Sequence, residues 1–373
     1  MSMLECAHSM SFKDILASLT SSNTASAGVV GIDIGSSSIK VVELQDKKGV
    51  VTLSTYGELQ LGPYAQKQIG ESVVLTAKQE QEALVDVLRE SAVSAKSAVF
   101  AMPLSSSFVT NVSIEAEENA DIAALVRVEA RKVIPASLSE VTLDWAEVEM
   151  PEDKKEKTDG PKRRDVLIAA IQNAALDRFK ILMQFAGIEQ PPTEIECFST
   201  IRALYSQKDA NMAVIDIGAV STKLYIARSG LLMRMHRIRA GGTIATNRIA
   251  SVFNISFEDA EIKKQNASRA NSDFADMKRA HDSSYERAFR EFGQVLREYE
   301  EKSGVKIDTI FLSGGGAMFP GVDILLQEVL GRQVTRAHPF SKVAYPAFMQ
   351  DTIKEIGPSF AAALGAAIRM FDE

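Results

Sequence analysis

Val30-Gly31-Ile32-Asp33-Ile34-Gly35-Ser36-Ser37-Ser38-Ile39-Lys40 runs as an apolar strand, places an acid at its exit, turns on glycine and hydroxyls, and resumes as a second strand. The same phrase returns as Ala213-Val214-Ile215-Asp216-Ile217-Gly218-Ala219-Val220-Ser221-Thr222-Lys223, each matching residue 183 positions later. This is the pattern of a phosphate-holding β-hairpin. Phosphate needs converging backbone N–H groups, and a Gly-Ser-Ser-Ser turn offers them as an anion-binding nest. Gly35 permits a close approach that a Cβ would block, and Lys40 adds a point charge. Asp33 and Asp216, the carboxylates of the two hairpin turns, are candidates to hold Mg²⁺ through its water shell. One Asp-x-Gly is usually only a turn. Two copies half a chain apart predict two related domains whose hairpins face one nucleotide.

A third element supports the pair. Phe311-Leu312-Ser313-Gly314-Gly315-Gly316-Ala317-Met318-Phe319-Pro320-Gly321 brings an apolar strand to three glycines and a predicted helix start. That backbone can lie flat against a base, and a helix N-terminus after it favours negative charge. Alone, a glycine triplet is a common turn; after two hairpins in this order it carries weight.

The bulk numbers narrow the class. A chain of 373 residues is long enough for two domains with their own cores. A formal charge of −7 argues against sequence-independent nucleic-acid binding, which requires a basic footprint. The two cysteines, Cys6 and Cys197, have no metal-ligand spacing and point to a reducing, cytoplasmic setting. No apolar run reaches the roughly 20 residues of a membrane span, and no secretory signal opens the chain.

Residues 1–28 read as an N-terminal extension. Phe12, Ile15, Leu16 and Leu19 fall at helical spacing, leaving a frayed tail and a short docking helix both open. Strands follow at 29–34, 39–45 and 50–59, a helix at 78–91, then strands at 97–103 and 108–114. Ala120–Ile134 is an amphipathic helix stopped by Pro135, and residues 141–149 read as a strand. Residues 152–165, almost wholly charged or small, predict a solvated loop. Strand 166–171 and helices 177–186 and 199–205 complete the first half. The second half is read as strands at 212–217, 221–228 and 231–238, a helix from Gly241-Gly242 to about Phe253, helices at 257–265 and 285–302, a strand at 309–312, and helices at 322–330 and 359–371.

This order of motifs resembles the actin/Hsp70/sugar-kinase superfamily, with phosphate hairpins at 31–40 and 214–223 and an adenosine loop at 311–321. Within it, the opening at 31–44, the helix end Glu129-Ala130-Arg131-Lys132-Val133-Ile134-Pro135 and the connector Gly187-Ile188 … Ile195-Glu196-Cys197-Phe198 are similar to the PilM family of type IV pilus assembly proteins. The similarity runs from about residue 29 to the C-terminus. It departs in the longer N-terminal extension, in Ile195 and in the charged loop.

The resemblance implies an α/β, actin-like (ribonuclease H-like) duplicated two-domain ATPase fold. Domain I would span 29–205, with an inserted α+β subdomain at about 93–175. Domain II would span 206–350, and 351–373 would be a connector helix returning to domain I. It implies ATP and Mg²⁺ as cofactors. Asp33 and Asp216 would organise the metal. Gly35, Ser36, Ser37, Ser38, Lys40, Gly218, Ser221 and Thr222 would cradle phosphates. Gly241 and Gly242 would lie near the ribose, Glu261 and Lys264 would reach ribose and adenine, and Gly314, Gly315, Gly316 and Met318 would flank the base. Glu196, on the connector, is the candidate to position the attacking water, with a purely structural carboxylate as the other reading.

The implied function is that of a cytoplasmic ATP-binding adaptor, peripheral to the inner membrane, with at most slow ATP hydrolysis. Its partner would be the N-terminal cytoplasmic tail of PilN; other pilus proteins and self-association stay open. An FtsA-like membrane filament protein is the alternative, weakened because Glu373 follows directly on the last predicted helix. A sugar kinase would need a further domain, and an Hsp70 chaperone a substrate-binding domain after the second connector.

Overall fold

β1 (Val29–Ile34) is buried almost throughout, and β2 (Ser38–Asp46) returns beside it with Asp33 opposite Lys40. The computed structural model describes residues 28–117, 119–148, 162–188 and 193–371. β3 (Val51–Gln60) extends the hairpin into a meander, and α1 (Ala77–Glu90) follows, its N-terminus closed by a Thr76–Gln79 capping box. β4 (Ser97–Met102) then runs parallel to β1.

Residues 105–177 form one compact unit. It holds β5 (Ser107–Ala116), α2 (Ile122–Val133), β6 (Val141–Glu147) and β7 (Lys162–Gln172), with the antiparallel order β5-β7-β6. The sequence explains its core: Ile122, Val126 and Ala130 recur at helical spacing on α2 and pack with Ile114, Val166 and Ile168 of the strands. Asp121 caps α2 by accepting from the Ala124 N–H (3.1 Å). α3 (Asn173–Ala186) leads out of the unit.

The second compact unit contains both hairpins of the repeat. After α3 come β8 (Thr193–Ile195) and α4 (Glu196–Leu204), which complete a sheet of order β3-β2-β1-β4-β8. β9 (Asn211–Ile217), β10 (Thr222–Arg228) and β11 (Leu231–Ile238) repeat the meander. α5 (Gly242–Phe253), α6 (Phe257–Gln265), α7 (Phe274–Asp282) and α8 (Glu286–Ser303) precede β12 (Thr309–Ser313). α9 (Val322–Leu330), β13 (Thr335–Arg336), α10 (Gln350–Ile356) and α11 (Ala361–Ile368) end the chain. The second sheet has the order β11-β10-β9-β12-β13, equivalent to the first: an antiparallel meander on one side of the motif strand, parallel pairings on the other.

Each sheet is covered by its own apolar cluster. Ile215, Leu224, Phe289, Phe292 and Leu326 pack together in the second half. In the first, Val42 and Leu44 meet Phe340, Phe360 and Leu364 of the C-terminal segment. The close packing of α11 on β1 depends on Gly31, where a Cβ would stand 1.9 Å from the Ala363 carbonyl oxygen.

Several expectations need correction. Residues 162–165, read as solvated loop, extend β7, because backbone pairing to β5 is indifferent to charged side chains facing water. The rest of that loop, and the N-terminal extension up to residue 27, lie outside the described residues. Residues 97–102, counted with the insertion, form β4 of the first-half sheet. The helix expected at 199–205 starts earlier, at Glu196, directly after β8; the one expected at 359–371 begins as a 3₁₀ turn, Gly357–Phe360, before α11. A 3₁₀ turn, Gly315–Met318, follows β12, and the expected helix starts after it at Val322. α7 was not foreseen, and the connector helix expected over 351–373 is divided into α10, the Gly357–Phe360 3₁₀ turn and α11.

Candidate functional site

The two hairpin turns have the same internal bond. Gly35 N–H donates to the Ser38 carbonyl (2.9 Å), and Gly218 N–H to the Ser221 carbonyl (3.0 Å). The turn carbonyls then point back into the protein. Ser36 and Ser37 accept from Val73 (2.9 Å) and Leu61 (2.8 Å), and Gly218 and Ala219 accept from Gly242 and Thr243 (2.9 Å each). In a planar trans peptide the following N–H points opposite to its carbonyl. The N–H groups of Ser37, Ser38, Ala219 and Val220 therefore face away from those four donors, the orientation an anion requires.

Around the turns stand three carboxylates and two lysines. Lys40 donates to Ser38 Oγ (2.7 Å) and pairs with Glu58 (3.1 Å), its cross-strand neighbour. Lys223 behaves differently. Its ammonium donates to Glu196 Oε2 (2.7 Å) and Asp216 Oδ2 (3.2 Å). Glu196 Oε1 accepts the Leu104 N–H (2.8 Å), so both oxygens of that buried carboxylate are engaged. Burial pushes the Asp33 carboxyl up to about 6; the charges of Lys40 and Lys223 oppose that rise, while those of Glu196 and Asp216 add to it. Burial alone would lower the Lys223 ammonium, but Glu196 and Asp216 hold it above its ordinary range.

Gly241 and Gly242 open α5 against the second hairpin. Glu261 is buried and fully bonded, accepting from Thr246 Oγ1 (2.5 Å), Lys264 Nζ (2.6 Å) and Gln265 Nε2 (3.1 Å). Lys264 also reaches Thr246 Oγ1 (2.7 Å), and burial lowers its ammonium. These two side chains meet each other beside Gly242. The glycine triplet lies against the second hairpin: at Gly314, with φ +84°, a Cβ would stand 2.3 Å from Asp216 Oδ1. Gly314 N–H and Ser313 Oγ both donate to the Pro358 carbonyl (2.9 and 2.8 Å), fixing the loop. Met318 ends the 3₁₀ turn, more than a third exposed.

Asp33, Asp216, Glu196, the turn glycines and Gly314 are thus brought together. Ser221 Oγ accepts from Arg237 Nε (3.2 Å), and the Thr222 hydroxyl is buried on the Ala240 carbonyl (2.5 Å). Among the described residues, no group of three or more His, Cys, Asp or Glu side chains is arranged to hold a metal. One further feature fits a nucleotide: Thr243 Oγ1, at the start of α5 beside the second hairpin, is buried without a partner.

Residues 31–371 match the family described as Type IV pilus assembly protein PilM. The chain belongs to that family. Among solved structures, it is similar to the PilM-PilN type IV pilus biogenesis complex, with 23% identity over 92% of this chain and 99% of that one and a TM-score of 0.76. It also resembles the ethanolamine utilization protein EutJ from Carboxydothermus hydrogenoformans, with 16% identity, 95% and 94% coverage and a TM-score of 0.57. MreB5 of Spiroplasma citri, solved bound to ADP, gives 12% identity, 92% and 95% coverage and a TM-score of 0.53. The fold of this PilM-family chain is the actin-like α/β fold. Among the described residues, no helix is long and apolar enough to cross a membrane.

Sequence reasoning passed over two contributors to the site of this PilM-family chain. Lys223 stood in the repeat, as the mate of Lys40, and the repeat itself was the signal for it. Leu104 contributes only a backbone N–H, and no side-chain pattern could have marked it.

Proposed function

We propose that this PilM-family chain is an ATP-binding adaptor of type IV pilus assembly, sited at the cytoplasmic face of the inner membrane and carrying the N-terminal tail of a PilN-type protein. The observation that carries the nucleotide reading is the pair of matched hairpins. Their carbonyls are turned inward, and Asp33, Asp216, Glu196 and Lys223 are gathered between them. The partner is supported by family membership and by the likeness to the PilM-PilN complex.

In this reading Asp33 and Asp216 hold Mg²⁺ through water, and the turn N–H groups with Lys40 receive phosphate oxygens. Mg²⁺, when bound, neutralises phosphate charge. Glu196 is the carboxylate nearest in role to a water-positioning group, but the Leu104 N–H and the Lys223 ammonium occupy both its oxygens. Hydrolysis is accordingly slow, below the roughly 1 s⁻¹ at which ordinary enzyme turnover begins.

The test is calorimetric titration of a PilN N-terminal peptide into the full chain, with and without Mg·ATP. Saturable one-to-one binding is expected, and any ATP-dependent shift measures the coupling between the two sites directly. No binding in either state would remove the adaptor reading.

A further inference from the structure

The two lysines of the repeat occupy equivalent places on their hairpins yet point to different partners, and the adjacent strand explains why. Lys40, opposite Asp33 on the β1–β2 ladder, faces Glu58 across the β2–β3 ladder and pairs with it. Lys223 faces Arg237 across the β10–β11 ladder, and like charges directly opposite repel. Arg237 itself turns to Ser221 Oγ. Lys223 is left to swing to the other side, where Asp216 of its own hairpin and Glu196 of the connector helix share its ammonium.

We propose that Lys223 reads the terminal phosphate of a nucleoside triphosphate, exchanging Glu196 for that phosphate and so releasing the Glu196 carboxylate. The inference rests on the nucleotide reading above. Its basis is positional. The ammonium lies between the second hairpin and the connector helix, side chain 13% exposed, beside the carboxylates that gather at the turns. A lysine ammonium is a compact charge with three donors on a flexible stem, so it can change partner while its backbone stays in register. A phosphate dianion is a stronger acceptor than one carboxylate. Low-dielectric surroundings enlarge that difference. A diphosphate leaves the Lys223–Glu196 pair in place; a triphosphate competes for it. Lys223 is then the residue that separates the two nucleotides, and Glu196 is its competitor for the cation.

The experiment measures dissociation constants for Mg·ADP and for a magnesium complex of a non-hydrolysable ATP analogue, by calorimetry on the full chain. Wild type, Lys223→Gln and Glu196→Gln are compared. The expected result is that Lys223→Gln weakens triphosphate binding by about tenfold and diphosphate binding by less than about threefold, the scale of one charge-assisted hydrogen bond. Glu196→Gln, having lost the competing charge, is expected to raise the preference for triphosphate above the wild-type ratio. Equal losses for the two nucleotides in Lys223→Gln, or no loss, overturn the proposal. So does a Glu196→Gln ratio at or below that of the wild type, a criterion that stands even where Lys223→Gln does not fold. Wild-type protein that binds neither nucleotide overturns the nucleotide reading itself, an outcome distinct from the others.

Discussion

Gly365 lies directly on the carbonyl of Ser199: a Cβ at position 365 would stand 1.8 Å from that oxygen and 2.5 Å from its carbon. α4 and α11 therefore cross backbone to backbone. Arg202 fixes the crossing, donating from Nη1 to the Gly365 carbonyl (3.1 Å) and from Nη2 to Glu194 Oε2 (2.9 Å). Arg369 reaches the same carboxylate (3.5 Å). The run Ala361-Ala362-Ala363-Leu364-Gly365-Ala366-Ala367 is thus small-sided because two backbones touch it, β1 at Gly31 and α4 at Ser199.

Gly365→Ala is expected to destabilise the fold. Overpacking typically costs about 1–3 kcal/mol, and a backbone obstacle cannot rotate away as a side chain can, so the upper end applies. Chemical denaturation of both proteins measures it. An unchanged midpoint would refute the close crossing.

Asp33 predicts a pH dependence. Its folded-state carboxyl is raised to about 6 from an ordinary 3.8, burial being the first cause. The proton therefore favours the native state: that stability is fully present below about pH 4 and is lost as pH rises through 6. Asp33→Asn, permanently neutral, should be the more stable protein at pH 7 and should match the wild type near pH 4. If Asp33 helps hold the metal, Mg·ATP affinity should also weaken as pH falls below 6, since the proton and the cation compete. Thermal unfolding and calorimetry across pH 4–8 decide both points.

What could be read in advance follows from how far each signal reaches along the chain. β1, α6 and α9 were placed to the residue because their signals are local: an apolar run for β1, Ser256 capping α6, and Gly321 and Gly331 flanking α9. α7, Phe274–Asp282, was missed because its stretch is crowded with Ser, Asn and charged residues, and its buried residues are Met277, Ala280, His281 and Asp282, two of them polar. β8 and β13, with three and two residues, are too short to display a period at all. The two matched hairpins were legible because the repeat doubled a weak signal. The partner of each site residue was not. Whether Lys223 turns to Glu196 or away depends on Arg237 in the next strand, a relation fixed by register rather than by sequence distance.

Glu80 and Arg178 supply a stability test. Glu80 on α1 has its side chain 2% exposed, and Arg178 on α3 donates from Nε to its Oε2 (2.5 Å) with a second contact from Nη2. Removing the arginine leaves a carboxylate buried and unpaired. Arg178→Met should cost about 1–3 kcal/mol, less than a fully buried pair because Arg178 is half exposed. Glu80→Leu with Arg178→Met should recover much of that loss, since no charge is then stranded. A double-mutant cycle by urea unfolding checks this; equal losses in single and double variants would count against it.

Gly314→Ala tests the assignment of the third motif. At φ +84° an L-side chain is strained, and the new Cβ would press within 2.3 Å of Asp216 Oδ1 and 2.5 Å of the Ile217 carbonyl oxygen. The Asp216 carboxylate would have to move off Lys223, or the loop off the hairpin, and either displaces one wall of the proposed nucleotide site. Asp216→Ala removes the same carboxylate without adding bulk. Both variants are expected to weaken Mg·ATP binding. Asp216→Ala should keep near-native stability, whereas Gly314→Ala should lose about 1–3 kcal/mol from the strained backbone conformation. Calorimetric affinity together with a melting temperature separates the two effects. Undiminished Mg·ATP affinity in Asp216→Ala would remove the second hairpin from the metal's surroundings.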